Sequence, residues 1–269
     1  IPACGHNPFF IGPGRKPNAS ARLAWDTVAR IPGRWAALPV TPYRGERVDM
    51  EGAPSRRVSD GTETPLDPGG LPTGESVLIA GPAMTGKRRL LFDLVGASRD
   101  RAAILISTKS DAERFREGFL SERKSDDWAV RSIDCVSRSR SMRQVRDTAE
   151  IEHVSSAGDL TGVGIAASGF MREFYHADRA ARIGLHSLST MLMYADLRRV
   201  YQFVHVLTGR IDSSGFAGAF TLDTTTRNSE SLDVLTQVFD ALVEVRDEEN
   251  GPELRVRGGD FGPRAWTEF

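Results

Sequence analysis

At 269 residues, with 40% hydrophobic and 26% charged side chains, the chain has the composition of an ordinary globular protein and enough apolar content for a sizeable core. Its formal net charge is −1, and beyond residue 60 it carries 26 basic against 31 acidic side chains, so it lacks the broad basic excess by which a protein holds a nucleic-acid backbone. No apolar run approaches the roughly 20 residues of a membrane span, which excludes a helical membrane protein.

Two cysteines, Cys4 and Cys135, cannot make a disulfide framework, and no basic-then-apolar signal layout opens the chain, so the expected compartment is the reducing cytoplasm. The five histidines (6, 153, 176, 186 and 205) show no metal-ligand spacing with one another or with the cysteines, and no metal site is expected. Lysine supplies only four of the 35 cations (16, 87, 109 and 124), a bias that a high-GC genome or a salt-adapted proteome would produce.

Residues 1–70 are rich in Pro, Gly and Arg and have no sustained apolar period, so they read as a largely disordered extension. Leu23, Trp25 and Val28 allow one short helix over Ala19–Arg30, but eight prolines between residues 2 and 54 deny it neighbours. A tail for a protein partner is the functional alternative there. Residues 71–269 read as one domain.

Ser76–Ala80 is a buried-strand run, and Gly81-Pro82-Ala83-Met84-Thr85-Gly86-Lys87 then fills G-x-x-x-x-G-K before a helix over about Arg88–Ala97. That order is the build of a phosphate-binding loop. Gly81 and Gly86 admit backbone angles closed to other residues, successive N–H groups form an anion nest, and the helix adds its positive N-terminal end. Lys87 reaches the outer phosphates as a point charge. Arg88 stands where the full motif has Ser or Thr to place a hydroxyl on Mg²⁺, and a guanidinium cannot ligate a cation.

Apolar runs and helical patterns alternate from there on, the signature of a parallel sheet with crossover helices and an α/β fold. A strand over Ala102–Ser107 leads to a helix through Ala112, Phe115 and Phe119, a solvated turn at Glu122–Asp127 and a third strand, Val130–Cys135. An arginine-rich loop follows, with Arg138, Arg140, Arg143 and Arg146 but no interleaved aromatics for base stacking. A capping cluster at 155–159 precedes a helix over Leu160–Tyr175, and then come a strand, Ala181–Leu185, and an amphipathic helix, Leu197–Ile211. The last elements are a strand over Ala217–Leu222, a helix through Leu232, Leu235 and Phe239, and two strands, Ala241–Arg246 and Glu253–Arg257, forming a hairpin about the 247–251 turn.

A phosphate loop on the first core strand, several βα units and a terminal hairpin together resemble the RecA-like ATPases, in particular their KaiC-like archaeal branch. The likeness spans about residues 70–269. It rests on GPAMTGKR (81–88), ILISTKS (104–110), RIGLHSLSTMLMY (182–194), VYQFVHVLTGRIDSSG (200–215) and ALVEVRDEENGPELRVRG (241–258). VSSAGDLTGVGI, HSLSTMLMYADL and FVHVLTGR are similar to a group of such proteins in halophilic archaea. The resemblance implies a RecA-like P-loop fold, a mostly parallel sheet flanked by helices with a C-terminal β-hairpin, and ATP as the ligand of residues 81–88.

In that family the strand matching Ala181–Leu185 ends in a Mg²⁺-holding aspartate, and the one matching Ala102–Ser107 leads into paired glutamates that polarise water. This chain has His186 at the first place and Lys109 and Ser110 at the second, and neither pair member is a carboxylate base. Phosphoryl transfer depends on positioning and on metal and cationic charge, so these departures should depress hydrolysis more than binding. The implied function is ATP binding by a regulatory or sensory switch with little turnover. One alternative is a working ATPase in which Asp111 or Asp223 deputises; another is a nucleotide-free scaffold for a protein or DNA. Arg255 and Arg257 match a K-x-R pair that KaiC-like subunits extend toward a neighbour's γ-phosphate, which implies a homo-oligomeric ring or filament; alternatively they dress an edge strand against aggregation.

Overall fold

The computed structural model describes residues 65–67, 69, 71–123, 127–140, 145–224 and 229–269, all within one unit, Thr64–Phe269. The expectations for residues 1–64, for the middle of the 122–127 turn and for Arg143 lie outside the described residues.

Among the described residues, nine strands form one sheet: β1 (Ser76–Gly81), β2 (Ala102–Ser107), β3 (Ala129–Asp134), β4 (Ile151–His153), β5 (Ala181–His186), β6 (Ala217–Asp223), β7 (Ala241–Glu248), β8 (Gly251–Arg257) and β9 (Thr267–Glu268). Their spatial order is β4-β3-β2-β5-β6-β1-β7-β8-β9, parallel from β4 to β7 and antiparallel for β8 and β9. The helices are α1 (Lys87–Gly96), α2 (Ala112–Ser121), α3 (Ser137–Arg140), α4 (Leu160–His176), α5 (Leu188–Tyr194), α6 (Leu197–Ser214) and α7 (Ser229–Thr236). The fold is α/β, a mostly parallel sheet with flanking helices and a C-terminal hairpin.

Strands β1 and β2 are buried at every position, as a parallel strand covered on both faces must be, and this is why they read as unbroken apolar runs. Helix α1 buries Leu90, Leu91, Leu94 and Val95 at spacings of one, three and four against the sheet. Gly184 on β5 makes the room: a Cβ there would lie 2.9 Å from Val95 Cγ2 and 3.3 Å from Leu91 Cδ2. One face of the core joins these residues to Val77, Ile79, Phe92, Phe115, Phe119, Val243 and Phe261.

Several elements differ from the sequence expectations. Residues 188–194, which had no element assigned from sequence, are helix α5, with Leu188 and Met191 buried. The start of the arginine-rich loop is the single turn α3. Helix α7 stops at Thr236, so Phe239 lies beyond it and instead packs its ring 5.1 Å from that of Phe220. The hairpin register pairs Glu248 with Gly251, which shortens the turn to Glu249-Asn250. Strands β4 and β9 had no sequence signal, being three and two residues long.

Asp134, at the end of β3, is a buried carboxylate that fastens the sheet edge. Its oxygens accept the amides of Ala112 (2.8 Å), Val136 and Ser137 (both 2.7 Å) and the Ser137 hydroxyl (2.7 Å). Burial pushes its pKa up, but the Ser137, Ala112 and Val136 amides outweigh burial and hold the carboxyl below its ordinary range. A depressed carboxylate contributes stability that is whole above the unfolded pKa of about 3.9 and is lost as pH falls through the lower folded value. Asp134→Ala, which leaves three amides without an acceptor, is expected to cost about 3 kcal/mol in denaturant titration at pH 7 and to flatten the loss of stability below about pH 4.

Candidate functional site

The register of the parallel strands brings five C-terminal ends to one edge. Gly81 pairs with Asp223 across β1 and β6, Ser107 with His186 across β2 and β5, and Ser107 with Asp134 across β2 and β3. Ligands of open α/β sheets bind at this edge, outside the carboxyl ends of the strands. A cleft of about 400 Å³ opens there, lined by Met84, Thr85, Gly86, Lys87, Arg88, Arg89, Lys109, Glu122, His186 and Asp223.

The 81–87 loop leaves β1 and enters α1. Gly86 has φ 77° and Met84 φ 64°, so the left-handed turns fall at these two residues. Gly81 has no positive φ; it is glycine for want of room, since a Cβ would lie 2.5 Å from the Val245 carbonyl oxygen on β7. Gly86 is restricted twice, because the Phe269 ring also lies 3.1 Å from where its Cβ would be. Pro82 is half-buried, Ala83, Gly86 and Arg88 are exposed, and Met84 is fully exposed. Thr85 is buried with its hydroxyl donating to the Pro82 carbonyl at 2.8 Å. Among the described residues, no hydrogen bond engages the amides of Ala83, Met84, Thr85 or Gly86.

Lys87 folds back into this loop. Its ammonium, 3% exposed, donates to the carbonyls of Gly81 (3.0 Å) and Pro82 and stands 3.1 Å from Asp223 Oδ1. The other Asp223 oxygen takes the Lys109 ammonium at 2.5 Å, so two lysines converge on one carboxylate. Burial raises the Asp223 carboxyl, but the hydrogen bonds and charges of Lys109 and Lys87 prevail and keep it below the ordinary carboxylate range. Burial likewise lowers the Lys87 ammonium, against the pull of Asp223.

His186 occupies the end of β5. Its Nδ1 lies 2.7 Å from the Thr221 hydroxyl, and its ring stacks on Phe115 with centroids 5.8 Å apart and planes within 9°. Burial, then the charge of Lys109, lowers its pKa to about 4, so the imidazole is neutral at physiological pH. Asp111 does not line the cleft. It caps α2, accepting the Arg114 amide at 2.8 Å. Among the described residues no three His, Cys, Asp or Glu side chains converge in a metal-holding group. The Arg88 guanidinium and the two ammonium groups on Asp223 make the lining of the cleft predominantly cationic.

Arg255 and Arg257 share one face of β8 and both bind Glu244 of β7, Arg257 Nε at 3.0 Å. The Arg255 guanidinium also lies over the Trp266 ring, 4.3 Å from its centroid, as does Arg246 at 4.4 Å. Nothing in the sequence signals that Lys87 and Lys109 meet on Asp223, that Thr221 bonds His186, that Glu122 lines the cleft or that Phe269 packs on Gly86. The one available signal was the rarity of lysine. A second hollow, of about 410 Å³ between Leu197, Arg198, Tyr201, Val234 and Gln237, offers a single charged side chain and no convergence of polar groups.

The model of a family of unknown function (DUF7504) matches residues 74–245. No curated protein matches the chain. The crystal structure of a KaiC-like protein from the hyperthermophilic archaeon Pyrococcus horikoshii OT3 superposes with a TM-score of 0.50 at 12% identity, covering 73% of this chain and 84% of that one. That likeness is one of fold.

The His186 environment is directly measurable. Its ring signals in NMR are expected to titrate near pH 4 instead of the usual 6.5 or so, with no change between pH 8 and 5.5. The unfolded chain takes up this proton first, so stability should fall as pH drops from about 6.5 to about 4, and His186→Gln should remove that slope.

Proposed function

The chain belongs to this family of unknown function, and we propose that it binds a nucleoside triphosphate, ATP, through residues 81–88 and acts as a cytoplasmic regulatory or sensory switch with little hydrolysis. We take 71–269 as the binding domain and 1–70 as an extension of it. The observation that carries the reading is the buried Lys87 ammonium seated inside a loop whose amides at 83–86 are unengaged, beside a cleft that Arg88 and Lys109 also line. In this reading Lys87 and the loop amides hold the outer phosphates, the α1 N-terminus adds its positive end, and Arg88 supplies a further cation.

Little turnover follows from what surrounds the loop. In this reading the cationic lining takes over the charge a metal ion would supply, and a hydrolytic enzyme also needs a base to orient water. Asp223 has both oxygens held by ammonium groups, Asp111 is committed to its helix cap, and His186 is bonded to Thr221. The switch reading draws on the far side of Asp223. Its amide donates to the Ser189 hydroxyl at 2.6 Å, linking the site to α5, where Met193 and Tyr194 are exposed. Scarcity of lysine supports an origin in halophilic archaea.

Calorimetric titration with ATP, with and without Mg²⁺, tests the proposal. Binding should change little with the metal, Lys87→Ala should abolish it, and phosphate release should stay at background. Strict Mg²⁺ dependence with steady turnover would favour an ATPase using Asp223, and no heat under either condition would favour a nucleotide-free scaffold. The ring or filament reading has its own check. Arg257, 59% exposed, is the more accessible member of the pair, and Arg257→Ala should lower any nucleotide-dependent mass increase seen by light scattering.

A further inference from the structure

We propose that Lys109 is a phosphate-binding residue and that Asp223 is an internal stand-in for the bound anion, so that the Lys87–Asp223–Lys109 cluster is a metal-free site for the terminal phosphate of a polyphosphate ligand. The inference rests on the nucleotide reading of the loop and assigns to one lysine the neutralising task that such ligands usually give to a divalent cation.

Three observations carry it. First, the Lys87 ammonium is 3% exposed, and a buried cation without an anion costs several kcal/mol. Two loop carbonyls satisfy its donors but supply no charge; Asp223, 3.1 Å away, supplies it. Second, the same carboxylate gathers Lys109 from the β2–α2 turn through its other oxygen at 2.5 Å. Two ammonium groups that can both touch one carboxylate can both touch one phosphate placed there, since the two anions present oxygens at similar spacing. Third, the cluster carries two positive charges against one negative, so it remains a cation site even with Asp223 in place. The Lys109 ammonium is partly exposed on a flexible stem, free to stay with an incoming anion.

A phosphate entering the loop meets Asp223 as a like charge at close range, so the two cannot share the lysines. Binding is therefore an exchange of anions across a fixed pair of cations. Asp223 lowers affinity while keeping the empty loop from collapsing around an uncompensated ammonium. The exchange needs no divalent cation, because Lys87, Arg88, Arg89 and Lys109 line the cleft against two carboxylates, Glu122 and the doubly paired Asp223.

The test is calorimetry on the full chain at low salt with two probes, inorganic tripolyphosphate and ATP, each in EDTA and in Mg²⁺. Lys109→Gln, at a partly exposed position, should weaken metal-free binding of both by about tenfold, and Asp223→Asn should tighten it by about fivefold. Lys109→Glu should lose metal-free binding and regain part of it with Mg²⁺. Thermal melts identify any variant that does not fold, and the Lys109 pair decides the matter if Asp223→Asn is such a case. Tripolyphosphate binding without ATP binding would uphold the cluster and remove the nucleotide reading. ATP binding unchanged in Lys109→Gln would overturn the inference and leave the nucleotide reading intact, whereas ATP binding that depends on Mg²⁺ and is abolished by Asp223→Asn would overturn the inference and favour the ATPase alternative. No binding of either probe overturns both.

Discussion

The ammonium of Lys87, shut inside its own loop, is the constraint on which the rest of the edge depends. An amine so enclosed keeps its proton only if acceptors and a counter-charge are within reach. The loop carbonyls of Gly81 and Pro82 provide the first and Asp223 the second. Strand order follows from that need. Because β6 lies directly beside β1 and its last residue pairs with Gly81, the counter-ion stands one strand away from the loop it neutralises. Gly81 itself must be bare because β7 presses on the other side, so both neighbours of β1 shape the loop.

The side chains at the end of β5 and in the β2–α2 turn are each tied to partners within the protein. His186 is not a vacancy where an aspartate would be. It is a neutral ring held between Thr221 and Phe115, which plugs the end of β5 against the core. Lys109 turns to Asp223, so that carboxylate is neutralised from both sides. A cleft arranged in this way presents a cationic lining to whatever enters it.

How much of this was legible in the sequence depended on whether a local signal existed. Strands buried on both faces announce themselves as apolar runs, so β1, β2, β5 and β6 could be read within a residue or so. The loop motif was equally plain. Helix α5 was missed because seven residues containing Ser and Thr, with only Leu188 and Met191 buried, show no amphipathic period to speak of. Asp223 could be named as a residue on the ligand edge, but its two lysine partners come from 136 and 114 positions away, a distance no spacing rule spans. The reason for Gly81 was misread for the same cause: the carbonyl that excludes a side chain belongs to β7.

The identity of the two converging cations carries one further step. Arginine supplies nearly all the positive charge of this chain and lysine only four residues, yet both cations on Asp223 are lysine. A guanidinium presents a planar fork that locks onto a carboxylate in a bidentate pair and yields it reluctantly, whereas an ammonium is compact and can rotate its donors from one oxygen to another. Within the confines of the 81–87 loop only the compact group fits among two carbonyls and a carboxylate. At Lys109, where space is not limiting, the same choice favours an anion partner that can be exchanged, as a site that must release one anion to take another requires.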